Sequence, residues 1–210
     1  MPVIRTIQIR KLACLLSMLI FAALAQAACA ETVMTFDELP FQSVNGLSFV
    51  GVTFDFTIDG VDSPDAFYNS FGPGGLAAVE DPSLTGDSAG ILRIDFDFPT
   101  SLLEFGVALN TGDSLTPGVE VELFDTMMQS LGSTALDTTA TLPSEGFSEA
   151  HFAYSGEPIS RVTLDFADHP GSFALDNLVY IVPEPSMLGL LFAAVLVLLS
   201  RRLGARHCRL

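Results

Sequence analysis

Hard oxygen donors mark two ends of one stretch of this chain. Asp37 and Glu38 lie near its start, and Asp176 and Asn177 near its close. Carboxylates, a side-chain amide and nearby backbone carbonyls make up the donor set that Ca²⁺ takes. If the first and last strands are neighbours, such an ion would offset carboxylate repulsion and tie the two strands together. In the alternative, Asp176 and Asn177 cap a turn or bond to backbone. Asp59, Asp62 and Asp65 form a second acidic cluster. It lacks the ordered alternation and closing glutamate of an EF-hand loop.

Covalent and acid–base catalysis find little to work with. His151 alternates with apolar neighbours and His169 sits in the turn Asp168-His169-Pro170-Gly171. Neither is near a serine in an elbow context or a second histidine at metal spacing. With 25 acidic residues, some pair falls at glycosidase separation by chance, so no catalytic residue is assigned. Sugar binding calls for aromatic platforms beside polar groups. The chain has no tryptophan and three tyrosines: Tyr68, Tyr154 and Tyr180. Tyr68, in a Gly/Pro/Asp-rich stretch with Phe67 and Phe71, is the candidate platform. Core filling accounts for most of the 17 phenylalanines.

The elements that must position these residues read as strands. Val52, Phe54, Phe56 and Ile58 alternate with polar residues. So do Leu92, Ile94, Phe96 and Phe98, then Val119, Val121 and Leu123, then Val162, Leu164 and Phe166. Leu103, Phe105, Val107 and Leu109 form another apolar face, and Phe173–Tyr180 reads as the last strand. Period-two alternation, with turn residues between the runs, predicts half-buried strands. Two antiparallel sheets packed face to face follow. The expected fold is thus all-β, a β-sandwich of jelly-roll type. The segment from Asp62 to Leu84 reads as a long loop. About 150 residues, 31–181, suffice for one domain.

Both ends of the chain carry addresses. Arg5, Arg10 and Lys11 precede the apolar run Leu12–Leu24, and Ala25-Gln26-Ala27 and Ala28-Cys29-Ala30 offer small residues for cleavage. Residues 1–30 therefore read as a secretory signal peptide. At the other end come Val182, Pro183, Glu184, Pro185 and Ser186, an apolar run from Met187 to Ser200, then Arg201 and Arg202. Both prolines lack an N–H and disfavour helix before them, so Val182–Ser186 should be extended. Fourteen helical residues span about 21 Å, short of the ~30 Å hydrocarbon core. Arg201, Arg202, Arg206 and Arg209 would hold the terminus in the cytoplasm. Between Glu31 and Glu184, two arginines face all 25 acidic residues, leaving about −23. Such a surface excludes nucleic acid as a partner. Cys14, Cys29 and Cys208 lie in or beside the two signals, so no disulfide framework is expected.

The order Pro-Glu-Pro, apolar segment, basic tail in residues 182–210 resembles the PEP-CTERM sorting signal of Gram-negative bacteria that make extracellular polysaccharide. The segments Phe36-Asp37-Glu38-Leu39, Gly51-Val52-Thr53-Phe54, Leu92–Phe96 and Phe173–Leu178 look like the β-sandwich domains that often precede such a tail. The resemblance implies an exosortase-like membrane protease as partner, transient residence in the inner membrane, and release to the cell surface or extracellular matrix. It implies address and architecture, not chemistry. A non-enzymatic surface or matrix protein is the expected role. The alternatives are a carbohydrate-binding module stabilised by Ca²⁺, with polysaccharide as partner, and a glycoside-active enzyme.

Overall fold

Strict alternation of apolar and polar residues builds the centre of this fold. In the computed structural model, residues 29–141, 146–166 and 171–183 are described. Residues 1–28 of the expected secretion signal, His169, Glu184, Pro185, Ser186, the apolar C-terminal segment, Arg201 and Arg202 lie outside them, whereas Cys29 and Ala30, the last two residues of that expected signal, begin the first strand. Glu31–Val182 form one unit. Among the described residues there are strands but no helix, hence none long and apolar enough to cross a membrane.

Twelve strands among the described residues form one antiparallel sheet that folds over on itself. β1 is Cys29–Met34, β2 Gln42–Ser43, β3 Leu47–Phe49 and β4 Val52–Ile58. β5 is Val61–Asp62, β6 Ala66–Ser70 and β7 Ser83–Asp87. β8 (Gly90–Leu109), β9 (Leu115–Asp125), β10 (Ser130–Ala140), β11 (Ser148–Asp165) and β12 (Ser172–Pro183) complete the order. The two long strands, β8 and β11, belong to both layers. The first half of β8 pairs with β4, with Val52 opposite Phe96 and Ile58 opposite Gly90. Its second half pairs with β12, with Phe173 opposite Leu109 and Tyr180 opposite Leu103. β11 follows β8 around the bend, with register shifts between Ser155 and Arg161. Such irregularities let a strand turn a corner. The halves of β8 return to a common far end, where the Ser88 N–H donates to the Gly171 carbonyl at 3.1 Å.

The inward faces fill the space between the layers. Phe54, Phe56, Leu92, Ile94, Phe105, Val107, Leu164, Phe166 and Phe173 are all buried. Phe166 stacks on Phe173, ring centroids 3.8 Å apart, joining one layer to the other. A fully buried phenylalanine contributes roughly 1.5–3 kcal/mol. On the outer face the two domain arginines are tied into one acidic ladder. Arg93 pairs with Asp55 and Asp95, and Arg161 with Asp95 at 2.5 Å.

The segment from Asp62 to Leu84 is not one loop. It contains β6 and the start of β7, and only residues 71–82 form a long stretch outside strands. Those residues form a strap across the outer face of the β12–β8–β11 layer. Small residues make its seat: Val79 packs on Ala108 and Ala174, with Leu76 and Phe147 against them. Gly106 lies directly beneath the strap, where a Cβ would stand 1.8 Å from the Ala78 carbonyl oxygen.

Candidate functional site

Alternation along β6 decides which aromatic side chains reach solvent. Ala66 and Tyr68 point into the core, so Phe67 points out. Tyr68 is fully buried and donates to Glu38 Oε2 at 2.5 Å. It is therefore not the surface platform expected from the sequence; it packs edge-on against Phe36 at 5.2 Å. Burial, and then the bond to Glu38, push its phenol well above the ordinary value. Its neighbours take the outward role. Phe71 is 80% exposed and Phe41 62% exposed. Phe41 stacks on Phe67 at 5.1 Å and 12°.

Phe67 and Phe71 line a cleft of about 320 Å³ whose floor is Thr85, Phe173 and Ala174. Asp65 and Asp87 stand at one side of it. They are adjacent, because the Asp87 N–H donates to the Asp65 carbonyl at 3.2 Å. One oxygen of each is engaged: Asp65 Oδ2 accepts from Ser63 Oγ at 2.7 Å, and Asp87 Oδ1 from the Ala89 N–H at 2.9 Å. Both residues are exposed, which leaves acceptor capacity for hydroxyl donors. Gly86, also in the lining, leaves room for the core beneath, since a Cβ there would meet the buried Phe173 ring at 2.6 Å and Ala66 at 2.9 Å. Apolar rings flanked by a few polar groups are what a small-ligand cleft needs.

The expected calcium ligands lie on neighbouring parts of the fold, for β1 pairs with β12. Asp37 and Glu38 follow β1 rather than lying on it. Their carboxylates are already used locally. Glu38 Oε1 accepts the Thr35 N–H at 2.8 Å, and Asp37 Oδ1 accepts Thr35 Oγ1 at 2.8 Å. Partial burial pushes the Glu38 carboxyl up, but the bonds from Tyr68 and Thr35 outweigh it and hold the group below its usual value. Asn177 is exposed, with φ 54°, at a bulge in β12. Asp176 is 2% exposed and turned under the strap, where its Oδ2 accepts the Glu80 N–H at 3.0 Å. Its Oδ1 has no hydrogen-bond partner. Burial pushes its pKa up to about 6, with the charges of Glu80 and Glu38 adding to the effect and hydrogen bonds opposing it. Among the described residues no three His, Cys, Asp or Glu side chains converge as a metal-binding group. Asp59 stands in the β4–β5 turn at φ 52°, and Asp65 belongs to the cleft. His151 is exposed, 3.9 Å from Glu104.

No protein-family profile matches the chain, and no curated protein does. Solved structures with partial likeness include a bacteriophage CBA120 tailspike protein 4 enzymatically active domain, at 15% identity and TM-score 0.37, covering 66% of this chain. The chain spans only 22% of that domain's length. A carbohydrate binding module of family 29 aligns at 12% identity and TM-score 0.36, over 76% of this chain and 98% of its own. A mutant of such a module complexed with mannohexaose aligns at 13% identity and TM-score 0.38, over 73% and 92%. Likeness this slight carries no argument about what the chain does.

Proposed function

We propose that this chain is an exported, non-enzymatic surface or matrix protein whose jelly-roll-like sandwich binds a neutral polysaccharide through the Phe67–Phe71 cleft. The observation that supports this reading is an aromatic side chain, Phe71, left 80% exposed beside two adjacent carboxylates. Sugar rings offer apolar C–H faces to aromatic rings and hydroxyl donors to carboxylates. Acidic glycans are disfavoured, because the only arginines between Glu31 and Glu184 are held by Asp55 and Asp95 on the outer ladder. The stacked pair Phe41–Phe67 lengthens the apolar track beyond one sugar ring.

Calorimetric titration of the purified protein, in a zwitterionic detergent without a sugar headgroup, tests the cleft. Cellohexaose and mannohexaose serve as neutral probes, with oligogalacturonate as the acidic one. Binding of at least one neutral probe is expected, and Phe71→Ala should weaken it by about tenfold or more, the equivalent of ~1.4 kcal/mol from one lost platform. Equal affinity in the variant, or preference for the acidic probe, would sink the reading.

The address is proposed on the tail sequence alone. Val182–Ser186 is the element an exosortase-like membrane protease would read, with Arg201 and Arg202 as the membrane stop. Intact mass from an exosortase-bearing host should show loss of residues beyond about Pro185. A scrambled Val182–Ser186 variant should keep its full C-terminus. Full-length tails in both would make the segment a plain anchor.

A further inference from the structure

The corner end of the sandwich carries a second exposed apolar group, separate from the cleft. Val50 lies in the β3–β4 turn, Phe98 at the bend of β8, and Met127 and Met128 in the β9–β10 turn. They are 46%, 52%, 71% and 49% exposed. Hydrogen bonds and strand register place all three segments at one end. The Asp97 N–H donates to the Gly51 carbonyl at 2.9 Å. Ile159 pairs with Thr100 on β8 and with Asp125 at the end of β9. The methionine turn is built, not loose: Asp125 Oδ1 accepts the N–H groups of Met127 and Gln129, each at 2.8 Å.

The chain leaves the sandwich at this same end. The Ile181 N–H donates to Thr100 Oγ1 at 2.9 Å, and the Tyr180 hydroxyl to the Val50 carbonyl at 2.7 Å. β12 ends at Pro183, and the apolar run begins at Met187. Four extended residues reach at most about 14 Å. Once that run enters a bilayer, the corner end is held within that distance of it. Methionine and phenylalanine side chains gain by entering the boundary between headgroups and acyl chains. Asp97, Asp125 and Glu157 lie at the same end, so anionic lipid is disfavoured.

We infer that the corner end seats on a zwitterionic bilayer surface through Val50, Phe98, Met127 and Met128 before the tail is processed; this rests on the membrane role proposed for residues 187–200. The cleft then stands away from the membrane, since Phe173 on its floor is nine strand residues from Val182, up to about 30 Å. The test uses the full chain with Cys14, Cys29 and Cys208 changed to Ser, reconstituted in phosphatidylcholine vesicles. A nitroxide is placed at Met127→Cys or, at the far end, at Val61→Cys. Relative to the Val61 site, the Met127 site should show a several-fold loss of accessibility to a water-soluble nickel chelate and a gain to oxygen. Equal chelate accessibility at both sites, in chains that float with the vesicles, overturns the seat and leaves the anchor standing. Chains that do not float overturn the anchor and the seat together. Loss of chelate access at Met127 without gain of oxygen access would point to a second copy of the chain as the occupant and would also overturn the seat.

Discussion

Gly106→Ala is expected to destabilise the domain by about 2–4 kcal/mol, a fall in melting temperature of roughly 5–15 °C for a chain of this size. The added Cβ would stand 1.8 Å from the Ala78 carbonyl oxygen and 2.6 Å from its carbon. Those are backbone atoms of the strap, so no side-chain rotation relieves the overlap. The strap must lift or β8 must sink. Lifting strains the two bonds that hold the strap down, Ala78 N–H to Glu149 Oε2 at 2.7 Å and Glu80 N–H to Asp176 Oδ2 at 3.0 Å. Hydrogen bonds to carboxylates are each worth about 1.5–3 kcal/mol. It also uncovers Val79 from Ala108 and Ala174. Gly75→Ala in the same strap is the matched control. It has open space around its Cβ position and should be near neutral. The strap begins with Phe71, Gly72 and Pro73, which line the cleft, so Gly106→Ala should also weaken the oligosaccharide binding proposed for it. Thermal melts of both variants decide it: equal melting temperatures would mean the strap is not seated on Gly106.

How much of this was legible in the sequence depends on strand length and on burial of both ends of a contact. The runs at 52–58, 92–98, 103–109, 119–123, 162–166 and 173–180 announce themselves, because one face is buried along most of each strand. In the first half of β8, Leu92, Ile94 and Phe96 alone fix the inward parity. β10 left no such trace, since Ser130–Ala135 are exposed on both faces and cannot alternate. β6 and β7 have five residues each and lie among Gly, Pro and Asp, so composition outweighed pattern and the stretch read as loop. The same shortness explains Tyr68. The aromatic group Phe67, Tyr68 and Phe71 was visible as a candidate platform, but parity in a five-residue strand is set by its partners. Only the register, Phe67 opposite Thr85, turns Phe67 outward and Tyr68 inward. Phe41, which completes the track, precedes a two-residue strand and gave no signal. Asp176 is the reverse case. Its sequence neighbourhood suggested a metal ligand or a turn cap, whereas its burial comes from a strap 96 residues away at Glu80.

That burial leads to the second large effect, which has the opposite sign. Asp176→Asn is expected to stabilise the domain at pH 7.5 by about 1–3 kcal/mol. The folded-state pKa is raised to about 6 from an ordinary 3.8. Above pH 6 the folded chain must hold a charge beneath the strap, with Oδ1 unbonded, while the unfolded chain carries the same charge in water. As pH falls from 6 toward 4, the folded state takes up the proton first. The contribution of this group is therefore fully present below about pH 4 and lost as pH rises through 6. Asparagine keeps the shape and can still accept the Glu80 N–H on its carbonyl, without the charge. Urea unfolding between pH 3 and 8 should show the stability gap closed below about pH 4, opening as pH rises toward 6 and level above it. Glu38, held below its usual value by the bonds from Tyr68 and Thr35, works in the other direction, its contribution being lost as pH falls. Repeating the titration with Ca²⁺ separates the two readings of this carboxylate. If Asp176→Asn is less stable than the parent at pH 7.5, and the difference grows with added Ca²⁺, the ionised carboxylate is a cation ligand beside Glu38 and not an uncompensated buried charge.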